Sequence, residues 1–151
     1  MYAAEFVWLE ALLGNDDFVV PGDVRGKIPG NQQGGDGLQG FDHLREQWSD
    51  LERRWSAYLS SLAPEALDEI VYRKISSTGV RFGTRRSDVL FHVCTHAHYT
   101  SAQVINMLRQ SGVEKLPDVM LISLARQERV TDDFMQDREQ PPEQSREAML
   151  E

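Results

Sequence analysis

The sequence predicts an all-α fold, an up-down helical bundle interrupted by one short β-hairpin just before its last long helix. Three observations carry this expectation. Apolar residues recur at spacings of three and four in separate segments, the period of helices buried on one face. The period switches to two only between Asp68 and Arg85. Glycine is concentrated outside both patterns, with eight of the 11 glycines lying between Gly14 and Gly40.

The first helix is expected over Tyr2 to Leu13. Phe6, Leu9 and Leu13 form one stripe with Ala3 and Ala4 behind it, and Gly14 and Asn15 supply the stop. No N-cap residue or turn precedes it, which is unusual for a helix that starts a domain. The stretch from Gly14 to Gly40, with Pro21 and Pro29, is too rich in breakers for helix or strand and reads as a mobile crossover. It lacks the GxxxxGK[ST] pattern of a phosphate-cradling loop, and its Gly35-Asp36-Gly37 cluster does not follow a strand.

The second helix has the clearest pattern. Phe41, Leu44, Trp48, Leu51, Trp55, Tyr58 and Leu62 make the seam of a packed helix, charged residues fill the opposite face, and Pro64 marks the exit. His43, in its first turn, reads as a solvated or cap-associated histidine. Ile70, Tyr72 and Lys74 then alternate with Val71, Arg73 and Ile75, Ser76-Ser77-Thr78-Gly79 turns the chain, and Val80 and Phe82 return. A lone hairpin is unstable, so this one must lie against helices.

A third helix is expected from about Arg85 to Ser111, with Thr84 as N-cap and Gly112 as stop. Leu90, Val93, Ala97, Ser101, Val104 and Leu108 form its core stripe. A second row, His92, His96, Thr100, Gln103 and Met107, runs beside it, with His98 on the other side of the helix. A fourth, shorter helix follows Leu116-Pro117-Asp118, with Val119, Leu121 and Ile122 inward. From Thr131 to Glu151 seven acidic and two basic residues surround Pro141-Pro142, which reads as a disordered acidic tail. The expected organisation is a helical domain over 1–130, with the 14–40 loop inside it, and a tail over 131–151.

The chain has 151 residues, 40% hydrophobic, with a formal net charge of −8. Such a balance argues against nucleic-acid or membrane partners held by a basic face. The apolar runs are too short to span a bilayer, and the chain reads as cytoplasmic. A single cysteine, Cys94, excludes an intrachain disulfide and reads as a small buried packing residue.

Chemistry centres on His92 and His96. Two histidines four residues apart on one helical face can reach one cation, and a third from a neighbouring helix would complete a three-histidine site for zinc, nickel or iron with a position left for water or a thiolate. The bland alternative is a core histidine hydrogen-bonded to a neighbour.

Ala3-Ala4-Glu5-Phe6-Val7-Trp8-Leu9, the Trp48 helix ending at Leu62, the hairpin with Gly79, and Leu90-Phe91-His92-Val93-Cys94-Thr95-His96 leading through Gln103 to Leu108-Arg109-Gln110-Ser111-Gly112 together resemble the DinB/YfiT-like metal-binding four-helix bundles. The resemblance covers most of Tyr2 to Gln127. In that family the third-helix motif reads approximately L-x-H-V-x-x-H-x-x-x-H-R-x-Q. His92 and Val93 match its opening, His96 matches the first metal ligand and Gln103 the closing glutamine. The family's second ligand falls on Thr100 and its arginine on Ser101. Its third ligand, with its whole first helix, would lie upstream of Met1.

Two explanations fit: a start inside a longer chain, or a shortened paralogue with a degraded site. The resemblance implies a divalent-metal-dependent thiol transferase or hydrolase-like protein, with His96 and His92 as metal ligands, Gln103 and Thr100 beside them, and a small-molecule thiol as partner. Thr100 is a poor ligand for such metals, which makes binding doubtful. The alternative function is a non-catalytic interaction module. A bundle lacking one helix leaves an apolar face, so a homodimer is expected.

Overall fold

The structure, a computed structural model, describes residues 1–75 and 77–123. It is mostly helical with one small antiparallel sheet. The elements are α1 (Tyr2–Leu12), α2 (Phe41–Ser61), a 3-10 turn (Pro64–Asp68), β1 (Ile70–Lys74), β2 (Arg81–Arg85) and α3 (Arg86–Gln110). The described residues divide into two units, 1–100 and those from 101 onward. The predicted tail and the end of the fourth helix lie outside the described residues.

Helix α1 is the centre of the first unit, and its burial departs from the expected single stripe. Tyr2, Val7, Leu9, Ala11 and Leu12 are buried, whereas Leu13 is exposed. The reason is that α1 is covered on two sides. Tyr2, Val7 and Leu9 join Val20 and Leu51 in one cluster, with Phe6, Phe18, Trp48 and Trp55 against it. Ala11 and Leu12 join Val71 and Val89 in a second, where Trp8 also packs. Leu51 is the fully buried residue of α2, packed with α1 and with Val20 of the connector, while Phe41, at the head of the expected seam, is exposed and belongs to neither apolar cluster. His43 lies where a cap-associated histidine should: its Nδ1 accepts the Gln39 amide at 3.1 Å.

The connector between α1 and α2 has no helix or strand, as its glycine and proline content implies, and it carries its own hydrogen-bond framework. The Asp23 carboxylate accepts the Gly30 amide (2.6 Å), the Gln32 amide (2.8 Å) and the Gln32 side-chain amide (3.0 Å). Gln32 also donates to the Pro21 carbonyl oxygen and accepts the Leu38 amide, both at 2.8 Å. These bonds hold Gln32 at φ +49°, a conformation uncommon for a residue with a side chain. Glycine serves close approach here: a Cβ on Gly22, whose φ is +82°, would lie 2.5 Å from the Gly37 Cα. The entry to the connector is fastened to β1, where the Lys74 amide donates to the Asp16 carbonyl oxygen at 3.0 Å.

The hairpin pairs Ile70 with Arg85 and Tyr72 with Gly83. Gly79, at φ +71°, closes the turn by donating its amide to the Ile75 carbonyl oxygen. Val71 points inward onto α1, with Arg73 on the same side of the strand. Thr84 is a strand residue opposite Val71 rather than an N-cap, since β2 runs straight into α3.

In α3 the fully buried residue of the first unit is Val89, at 1% exposure, one position ahead of the expected stripe. Cys94 is exposed, not packed: it lies on the outward side of the helix, turned by about 140° from Val89. In the second unit Val104 is exposed, against the expected stripe. The Val113 amide donates to the Leu108 carbonyl oxygen at 3.1 Å, and Gly112, at φ +82°, ends α3 as the sequence implies. Asp118 accepts the Met120 amide at 2.9 Å and opens a helical turn at Leu121, whose Leu121 and Ile122 are exposed rather than inward.

Candidate functional site

The histidine pair stands on one edge of α3, with His92 exposed and His96 half-buried. Helical spacing places His92 and His96 on one edge, with ring centroids 5.8 Å apart and planes tilted by 43°. The His92 ring meets Trp8 of α1 edge to face at 5.4 Å. On Trp8 the Arg73 guanidinium also lies, 4.6 Å from the ring centroid, a cation–π contact between β1 and α1. Burial alone lowers the Arg73 pKa from the ordinary arginine value, since no carboxylate among the described residues pairs with it.

A zinc ligand nitrogen at about 2.0 Å puts an imidazole centroid roughly 3.2 Å from the metal, so two tetrahedral ligands have centroids about 5 Å apart. The observed separation is within side-chain rotation of that arrangement. The two rings are therefore close enough for side-chain rotation to bring them to one cation. A third is not assembled: among the described residues no group of three or more His, Cys, Asp or Glu side chains converges. Thr100, partly buried on the same row, donates its hydroxyl to the His96 carbonyl oxygen at 2.9 Å. That backbone bond is the usual fate of a helical threonine and turns its hydroxyl away from ligand duty. Gln103 is exposed in the second unit, and His98 is half-buried away from the pair.

Sequence reasoning placed His92 and His96 together and missed Trp8 and Arg73. A signal for Arg73 existed: strict alternation with Val71 puts an arginine on the inward side of β1. Trp8 was hidden by the assumption of a single buried stripe on α1.

No helix among the described residues is long and apolar enough to cross a membrane. Comparison with known proteins finds no family model, no curated protein and no solved structure that matches the chain.

Proposed function

We propose that the chain is a DinB-like helical protein, cytoplasmic in setting, whose His92 and His96 imidazoles hold a zinc, nickel or iron(II) ion as part of a reduced form of that family's three-histidine site. The observation that supports the reading is the proximity of the two rings on one edge of α3, 5.8 Å apart, with His92 against Trp8. Such an ion supplies Lewis acidity, lowering the pKa of a bound water or of the thiol of a small-molecule substrate, the chemistry of a hydrolase or thiol transferase. The residues of this chain would orient: Trp8 packs edge to face against the His92 ring. With two protein donors the site is weak and open, so its affinity falls well below that of a complete three-histidine centre.

Titration of tag-free protein with cobalt(II) and nickel(II), read by calorimetry and by quenching of tryptophan fluorescence, tests this. One equivalent should bind, His96→Ala should abolish binding, and Thr100→His, which restores a donor on the same row, should strengthen it by at least about tenfold. Binding that survives His96→Ala, or no binding in either the native chain or Thr100→His, refutes the assignment.

A second reading has its own observation. Phe91 and Tyr99, on the outward side of α3 in the first unit, are 72% and 65% exposed. Large aromatics so placed favour a non-catalytic module that works by association, with a homodimer as its simplest form. Sedimentation as a monomer at all concentrations, unchanged by Phe91→Ser with Tyr99→Ser, would eliminate it.

A further inference from the structure

We propose that the cleft between β1 and the glycine-rich connector binds a small oxyanion, the phosphate or carboxylate group of a ligand, with Arg73 as its principal contact. The cleft is a shallow surface feature that carries Arg25, Lys27, Arg73 and Lys74 around an apolar floor that includes Val7 and Val20. Four cations line the cleft with one carboxylate, Asp23, which is committed to the Gly30 and Gln32 amides of the connector. Asp17, outside the lining, pairs with Arg25 and with Lys74. Lys27 is engaged with Gln33.

Arg73 is left as the half-buried cation without a carboxylate among the described residues. Trp8 screens one face of its guanidinium, which offsets only part of the cost of taking the charge out of water. The in-plane N–H edge of a stacked guanidinium remains available, and its fork matches two oxygens of a carboxylate or phosphate. The connector amides nearest the cleft already donate to Asp23, so affinity must come from the side chains, with Arg73 dominant. Nothing in this inference depends on metal binding by the histidine pair.

The test is an NMR titration of the ¹⁵N-labelled full chain with inorganic phosphate and, separately, with acetate, at ionic strength held constant with chloride. Saturable shifts are expected at the Arg73 side-chain N–H and the Trp8 indole N–H, with affinity reduced at least about tenfold by Arg73→Gln. Arg73→Lys keeps the charge and loses the fork, so it should also bind more weakly. Response to phosphate alone, or to acetate alone, supports the site and names its source. Failure of both anions to saturate at millimolar concentration, or equal affinity in Arg73→Gln, overturns it. Should Arg73→Gln fail to fold by circular dichroism, Arg73→Lys decides: weaker binding supports the site and unchanged affinity overturns it.

Discussion

Removing the Asp23 carboxylate tests whether the connector is a built structure. Asp23→Ala deletes the acceptor of three hydrogen bonds, from the Gly30 amide, the Gln32 amide and the Gln32 side chain. A shielded bond to a charged acceptor contributes about 1.5–3 kcal/mol, and these are part exposed, so about 1 kcal/mol each and about 3 kcal/mol together is expected. The Gln32 backbone at φ +49° then loses what holds it, which works in the same direction. Asp23→Asn keeps one oxygen for Gln32 but turns an NH₂ or a weaker acceptor toward Gly30, so its cost should be intermediate, about 1–2 kcal/mol. Urea denaturation reads the global loss, and amide hydrogen exchange at Gly30, Gln32 and Leu38 reads the local one. A local loss of about 3 kcal/mol corresponds to roughly a hundredfold fall in protection. Native amides at these positions exchanging at the rate of an unstructured chain would refute the framework.

Two further outcomes follow from packing and charge. Gly83→Ala should destabilise the hairpin by about 1–3 kcal/mol, because its Cβ would lie 2.8 Å from the Ile70 Cγ2 and 3.1 Å from the Tyr72 ring; an unchanged melting curve contradicts that register. Burial, opposed by the chain's amino group and reinforced by Glu52, raises the Glu5 pKa above the ordinary glutamate value. Its contribution to stability is therefore present below the unfolded-state pKa and is lost as pH rises through the folded-state one. Glu5→Gln should raise Tm at neutral pH and lose that advantage below the ordinary carboxylate range, and equal Tm values at neutral pH would contradict the assignment.

Much of the fold was legible because long-period signals survive in a single sequence. The Leu51 seam, the Val71 alternation and the glycine stop at Gly112 each follow from geometry local to one element. Misreadings arose where a residue's environment is set by distant partners. Leu13 and Phe41 are apolar and in phase, yet their neighbours in space do not reach them, whereas Val89 is buried because α1 and β1 meet there. The connector's hydrogen-bond framework was hidden for a different reason. Its glycine content looks the same whether glycine supplies freedom or closeness, and the deciding bonds between side chain and backbone span six to eleven residues. At the candidate site, the histidine pair could be read from spacing, but Arg73 on Trp8 is a tertiary contact between β1 and α1.

The fastening of the connector to the hairpin also sets how the first unit can come apart. The Lys74 amide bonds to Asp16, Arg81 pairs with Asp16, and Lys74 pairs with Asp17, so three links tie the connector's entry to both strands. Breaking one leaves the other two to restore it, and sub-global opening should take the connector's entry and the hairpin together as one cooperative block. Among the described residues the head of α2 has no ion pair to another element: its first turn is held by the local Gln39–His43 bond, with Phe41 in solvent. Proteolysis under native conditions should therefore nick the chain near Gly40 before it reaches Asp16.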